Sequence, residues 1–355
     1  MRKLPVVGVD LFCGAGGLTY GLRKAGVSVV AGIDLDPACE FPFTANNGAR
    51  FIKADVRTLT GSELARLYPP RAIRLLAGCA PCRPFSPFRR GADDNPRHNE
   101  WGLLAEFGRL VEELRPELVT MENVPDLATK RPFRGFVRTL EKLGYHVDAR
   151  SVYCPPLGIP QHRRRLVLVA SRLGPVRVPA GSLRPDQFRT VRDALGTLPK
   201  LAAGEADPRD RLHWARSVSD TNLRRLRASR PGGSWRDWPK DLRAPCHLKK
   251  TGATYRSVYA RMAWDEPSPT ITTQAFNFGT GRFGHPEQDR SITLREAAVL
   301  QTFPRRYRFV KPRERVSMSR VGRLIGNAVP PCLALFVGKE LIRAASARRR
   351  VRSRR

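Results

Sequence analysis

The segment VVGVDLFCGAGG (6–17) constrains this chain more than any other. A largely apolar run passes directly into a turn carrying Gly14, Gly16 and Gly17, and a helical pattern follows to about Lys24. Such a run reads as a strand buried on both faces. Glycine lets the backbone turn tightly at the strand end and approach a ligand closely. The pattern then repeats: strands are predicted at VSVVAGID (27–34), ARFIKAD (49–55), IRLLAGC (73–79), LVTMENV (118–124) and RRLVLVAS (164–171). Leu103, Leu104, Phe107, Leu110, Val111 and Leu114 recur at helical spacing, predicting an amphipathic helix over 100–115. Strand, helix, strand at this interval implies an α/β fold with a parallel sheet covered on both faces.

The pattern weakens after about residue 175. From there to about 290 the chain is rich in Arg, Pro and Gly and holds Trp214, Trp235, Trp238 and Trp264, which predicts a second, smaller, irregular domain. Regular pattern returns in SITLREAAVLQTF (291–303) and in a last helix near Pro331–Ala345. The segments expected are therefore 1–178, 179–290, 291–345 and a basic tail at 346–355. Charge follows the same division. Residues 1–150 carry a balance of +5 and the remainder +27, out of a net +32. A basic part beside a near-neutral one points to polyanion binding, nucleic acid above all, although an Arg-rich codon habit raises charge too.

At 355 residues and 41% hydrophobic, the chain has ample core and is not of the disordered class. No uninterrupted apolar run approaches the roughly 18 residues of a membrane span. Asp10 breaks the N-terminal apolar stretch, which predicts no signal peptide. Seven Cys, an odd and ordinary number, exclude a disulfide scaffold and fit a reducing cytosol.

Two features carry chemistry. Asp34 closes the second strand 20 residues after Gly14, where a carboxylate can bind ribose hydroxyls, and Asp55 closes the third, where it could accept from an adenine amino group. The set fits an adenosine-containing cofactor; many α/β folds have a glycine turn with none. The third glycine of the dinucleotide fingerprint is missing, which favours a ligand without a pyrophosphate. The second feature is LLAGCAPCRPFSPF (75–88), a strand that runs into a loop stiffened by Pro81, Pro84 and Pro87. It brings Cys82 to the carboxyl end of the sheet, where open α/β sheets bind ligands. Cys82 is either a nucleophile, its pKa lowered by Arg83, Arg89 and Arg90, or an inert buried thiol. Cys79-x-x-Cys82 has no second pair at zinc spacing, and Cys246, His213 and His247 are poorly spaced for a metal site, so no metal is expected.

GCAPCRPFS (78–86) resembles the Pro-Cys nucleophile motif of the DNA (cytosine-5) methyltransferases, and DLFCGAGG (10–17) their S-adenosylmethionine loop. MENV (121–124) resembles their Glu-Asn-Val, and QHRRR (161–165) their Gln-x-Arg-x-Arg motif. RSITLREAAVLQTFP (290–304) and GNAVPP (326–331) resemble their two late motifs. Any one is weak; six in the family's order are hard to reach by chance. The resemblance implies a Rossmann-like S-adenosylmethionine-dependent methyltransferase sheet, joined to a smaller, irregular DNA-recognition domain.

It also implies roles. A cytosine is flipped from duplex DNA into the pocket. Cys82 attacks carbon 6 of the ring, making carbon 5 electron-rich enough to take a methyl group. Glu122 sits against ring nitrogen 3 and the exocyclic amine, held protonated by desolvation. Asn123 braces the nucleophile loop. Arg165 contacts the base's carbonyl oxygen, and Arg163 and Gln161 the phosphates or the active-site loop. The alternation of Arg163 and Arg165 in an extended segment suggests a joint clamp; a solvated basic run has the same look. Phe12, Gly14 and Gly16 surround the methionine part of the cofactor. Asp34 takes the ribose, and Leu35, Asp55 and Val56 the adenine. Pro81 and Leu104 lie near the methyl group, and Asn327 and Ala328 reach in from GNAVPP. Ser86 binds a phosphate, and Arg83, Arg89, Arg90 and Arg97 belong to a loop that closes over DNA. In the recognition segment, PGGSWRDWP (231–239) is a candidate major-groove loop, with Arg236 and Lys249 among the DNA-binding cations.

Cys79 and Arg83 depart from the family pattern, as does Leu35, which stands where some members have an aromatic. The expected function is methylation of cytosine carbon 5 within a short duplex sequence, as part of restriction-modification. The enzyme would act as a monomer in a bacterial cytoplasm, with a separate cognate restriction endonuclease as its possible companion. The alternatives are a tRNA cytosine-5 methyltransferase and a silent DNA-binding protein; a nicotinamide oxidoreductase leaves the Pro-Cys turn unexplained.

Overall fold

The computed structural model describes residues 5–81, 102–249 and 258–352, with side chains described as far as residue 347. Through the first half the elements are β1 (Val6–Leu11), α1 (Gly17–Lys24), β2 (Ser28–Asp34), α2 (Glu40–Asn47), β3 (Arg50–Lys53), α3 (Gly61–Ala65) and β4 (Ile73–Gly78). Then come α4 (Leu103–Leu114), β5 (Leu118–Asn123), α5 (Arg131–Lys142), β6 (His146–Tyr153), β7 (Gln161–His162) and β8 (Arg164–Ser171). The rest holds α6 (Val191–Leu195), α7 (Asp220–Ala228), α8 (Pro245–Leu248), β9 (Ser268–Pro269), α9 (Leu294–Leu300), α10 (Met318–Gly326) and α11 (Pro331–Arg352).

The chain forms two compact units. The first comprises residues 1–157, 164–181 and 328–355, the second 158–163 and 182–327. These cuts fall elsewhere than the segments read from the sequence: 291–327 packs within the second unit, and the chain returns to the first only at Ala328.

The first unit is built on one seven-stranded sheet in the order β3-β2-β1-β4-β5-β8-β6. β1 to β5 run parallel, while β8 is antiparallel to both β5 and β6. The strand order reverses at β1, between β2 and β4, so the crevice beyond the carboxyl ends of these strands is the expected ligand site. β1 and β5 are buried at every position, as their predominantly apolar sequences predict. α4 and α5 cover the sheet, with Phe107 and Phe136 in ring contact at 5.1 Å. α1 packs on α11 so tightly that a Cβ on Gly21 would lie 2.2 Å from the Pro331 carbonyl oxygen, so only glycine fits there. β6 was not expected. It is the edge strand and is largely polar, with Asp148 and Arg150 paired on it, so it lacks the apolar run that marks the others.

The second unit has little regular structure, as expected. Its core is aromatic: Leu226, Trp235, Trp238, Leu242 and Phe278 are buried together. Trp235 stacks on His247 at 4.3 Å, and the Arg225 guanidinium lies over both Trp238 and Tyr259. Buried guanidinium groups replace the hydrogen bonds that a sheet would provide. Arg261 donates to the carbonyls of Leu226, His285 and Gln288. Arg290, fully buried, makes a bidentate pair with Glu296 at 2.7 and 2.8 Å.

One compositional expectation is corrected. The stretch Met318–Ala347 is long and apolar enough to cross a membrane, although 67% of its most apolar window is buried inside the protein. The sequence reading missed it because the arginines and the Asn327–Pro330 break interrupt the run.

Candidate active site

The carboxyl end of β1 leads into a loop in which Phe12, Gly14 and Gly16 all take positive φ, at 56°, 52° and 87°. Glycine suits the last two, and the space beside Gly14 is open, with no atom within 4 Å of a notional Cβ. Gly16 caps α1, whose first N–H groups have no side-chain cap. Asp34 ends β2 and holds this loop: one carboxylate oxygen accepts from the Gly14 N–H and the other from the Asp36 N–H, both at 2.9 Å. Burial raises the Asp34 pKa, and these two N–H donors oppose the rise. Each oxygen keeps a second lone pair for a hydroxyl donor. Leu35 is 57% exposed, an unusual state for a large apolar side chain next to a polar crevice, and one that suits contact with a flat ring.

Asp55 stands at the end of β3 but is already bound by Arg57, whose Nε and Nη2 reach its carboxylate, the latter at 2.6 Å. That pairing lowers its pKa. Val56 is buried beside it, and Leu104 lies wholly in the core on α4. Pro81 is half-buried, as is Ala328, which belongs to the first unit. Asn327 is exposed and belongs to the second.

A residue that sequence reasoning passed over completes this corner. Asp10, on β1, is buried, and its Oδ2 accepts from the Thr19 hydroxyl at 2.6 Å. Its Oδ1 has no partner among the described residues. Burial pushes its pKa up to about 7, and the Asp34 charge adds to the rise. An orphaned carboxylate oxygen beside an open glycine loop fits a ligand that brings a cationic group. S-adenosylmethionine, with its ammonium and sulfonium charges, meets that requirement.

The second corner lies at the ends of β4, β5 and β8. β5 and β8 pair antiparallel, with Asn123 opposite Leu166, so Arg165 at the start of β8 comes to the carboxyl end of β5. Its Nε lies 3.0 Å from Glu122 Oε1, and both side chains are largely buried. Cys79, the first residue after β4, donates its thiol to Glu122 Oε2 at 3.1 Å. Asn123 donates from Nδ2 to the Ala80 carbonyl at 3.0 Å, while its Oδ1 accepts from the Val124 N–H. Asn123 thereby pins the backbone two residues before Cys82. Cys82 itself, with Arg83, Ser86, Arg89, Arg90 and Arg97, lies outside the described residues.

The Gln-x-Arg-x-Arg motif is divided between the two units. Arg165 ends up with Glu122, whereas Gln161 and Arg163 are buried in the second unit. Gln161 donates to the Leu300 carbonyl and to Gln301 Oε1, and accepts from the Ile271 N–H. Arg163 donates to Gln161 Oε1 and to the carbonyls of Ile271 and Gly326. Among the described residues both brace the backbone of the late segments. In the recognition segment Trp235 and Trp238 of PGGSWRDWP belong to the core, while Arg236 and Lys249 are exposed.

Comparison with known proteins agrees with this layout. The family described as C-5 cytosine-specific DNA methylase matches residues 6–343. A Type II methylase of Herpetosiphon aurantiacus, M.HgiDII, is 47% identical over 338 residues, covering 94% of each chain. The Type II methyltransferase M1.HphI of Haemophilus parahaemolyticus is 30% identical, covering 94% of this chain and 86% of its own. Among solved structures, a putative DNA modification methyltransferase encoded within an Escherichia coli prophage superposes with a TM-score of 0.71 at 22% identity. It covers 96% of this chain and 99% of its own, a likeness of fold.

Proposed function

The chain belongs to the C-5 cytosine-specific DNA methylase family, and from that premise we propose that Cys82, Glu122 and Arg165 carry its reaction on a flipped cytosine. It is a DNA (cytosine-5)-methyltransferase that uses S-adenosylmethionine. The observation that carries the proposal is the buried Glu122–Arg165 pair at the carboxyl edge of the sheet, next to the backbone that leads to Cys82.

The residues divide the work. The Cys82 thiolate adds to carbon 6 of the ring, and the electron pair displaced makes carbon 5 nucleophilic; once carbon 5 is methylated, loss of its proton expels the thiolate from carbon 6 and restores the ring double bond. Glu122 meets ring nitrogen 3 and offsets the negative charge that arrives there. Arg165 sets its Nε beside one oxygen of Glu122 and donates Nη1 to the Arg164 carbonyl, which leaves Nη2 to meet the base's carbonyl oxygen. Asn123 fixes the approach of the nucleophile loop through the Ala80 carbonyl. S-adenosylmethionine, when bound, supplies an electrophilic methyl group on a sulfonium sulfur. Gly14, Gly16, Asp34, Leu35 and Asp10 would hold it.

Duplex DNA is the substrate that family membership implies. Recognition of a short sequence by 179–290, with Arg236 and Lys249 on the DNA, is the reading favoured by the basic balance of that half. The loop after α9 adds support. Arg305, Arg306, Arg308, Lys311, Arg313 and Arg315 are all exposed, while Tyr307 and Phe309 point into the core and anchor it. The one acid there, Glu314, is bound to Arg320. We place the enzyme in a bacterial cytoplasm as the modification half of a restriction-modification pair, by analogy with M.HgiDII, acting as a monomer beside a separate nuclease.

Bisulfite sequencing of host DNA from cells expressing this chain tests the function and reads out the target together. The expected result is protected cytosines confined to one short sequence; uniform conversion would contradict the proposal.

A further inference from the structure

Cys79 was noticeable in the sequence only as a departure from the family pattern. The structure gives it a partner. Its backbone N–H donates to the Leu11 carbonyl at 3.3 Å, and the next residue's carbonyl is held by Asn123 at 3.0 Å. The thiol is thus fixed between β1 and β5, with its Sγ 3.1 Å from Glu122 Oε2. Arg165 approaches the other oxygen, Oε1, at 3.0 Å. The terminal torsion of a glutamate side chain is broad and roughly two-fold, so a single donor leaves the carboxyl plane free to swing. The thiol hydrogen bond on Oε2 and the guanidinium charge beside Oε1 together set that plane. Glu122 is only 6% exposed, so water does little to compete for either oxygen.

We propose that the Cys79 thiol is a positioning residue for methyl transfer, holding the carboxyl plane of Glu122 in the orientation from which it meets the cytosine ring. The inference rests on the reading that Glu122 acts on the base. A small apolar residue at position 79 would remove this donor from Oε2. Cys79 is half-buried, and a free cysteine packed in a protein is ordinarily an inert space-filler. A filler and a donor make different predictions, because alanine and serine are close to each other in size but only serine donates.

The test is single-turnover methyl transfer to a cognate duplex by wild type, Cys79→Ala and Cys79→Ser, at saturating cofactor and DNA, with KM for DNA measured alongside. Loss of one donor to a carboxylate should slow transfer in Cys79→Ala by about threefold to tenfold, with KM within about twofold. Cys79→Ser should restore most of the rate. Equal losses in both variants would mean packing and overturn the proposal, as would Cys79→Ala transferring at the wild-type rate. Should Cys79→Ala fail to fold, Cys79→Gly takes its place with the same outcomes. A wild-type protein that methylates no duplex strikes the functional reading and this inference together. An active wild type with an unmoved Cys79→Ala strikes this inference alone.

Discussion

Asp10 in the first unit and Glu296 in the second are both carboxylates buried to about 1%, yet their surroundings differ in kind. Glu296 accepts two bonds from Arg290 and one from the Thr293 N–H. Burial raises its pKa, but the Arg290 hydrogen bonds and charge overcome that and hold it at about 2. Asp10 has a hydroxyl on one oxygen, no partner among the described residues on the other, and a pKa raised to about 7. The difference separates two uses of a buried charge. A carboxylate closed off by a guanidinium is architecture; one left half-satisfied beside an open loop is a place for a ligand.

The comparison can be broken at either end. The larger effect belongs to Arg290→Leu, which leaves Glu296 buried without its cation. It should destabilise the protein by about 3–5 kcal/mol, read as a fall in the denaturant midpoint. The His285 ring, 3.9 Å from Glu296, has its pKa lowered by burial to about 4 while Arg290 is in place, so Arg290 is the cation of the native pair. Unchanged stability would show that the pair is not what holds α9 in the second unit.

The smaller effect belongs to Asp10→Asn. A folded-state pKa raised above the ordinary 3.8 means the native protein binds the proton more tightly. Stability is therefore lost as pH rises from about 4 to about 7. The asparagine variant should flatten that part of the Tm-against-pH profile and melt a few degrees higher at pH 8 (~2–4 °C). It should also bind S-adenosylmethionine more weakly, by calorimetric titration. A variant that melts lower at pH 8 and keeps full affinity would remove Asp10 from the cofactor corner.

The same contrast explains what could be read from the sequence. β1, β2, β4 and β5 announce themselves because strands covered on both faces need predominantly apolar sequences. β6 does not, because one edge of it faces water. The second unit is held by Arg225, Arg261 and Arg290, and a guanidinium that donates to backbone carbonyls leaves no periodicity behind. The bracing role of Gln161 and Arg163 stays hidden for that reason: an arginine in a basic run looks solvent-facing until the carbonyls of Ile271 and Gly326 are seen to receive it. Glu122 and Arg165 were legible as a motif, but their pairing depends on the antiparallel register of β5 and β8, which no local pattern displays. Cys79 carried no signal beyond being out of place.

The central claim is that methyl transfer depends on covalent attack by Cys82. Transfer of labelled methyl groups from S-adenosylmethionine to duplex DNA, measured for wild type and Cys82→Ser side by side, tests it most directly. The account predicts incorporation by the wild type and none above background by the variant, with cofactor binding retained. Full transfer by Cys82→Ser would contradict it.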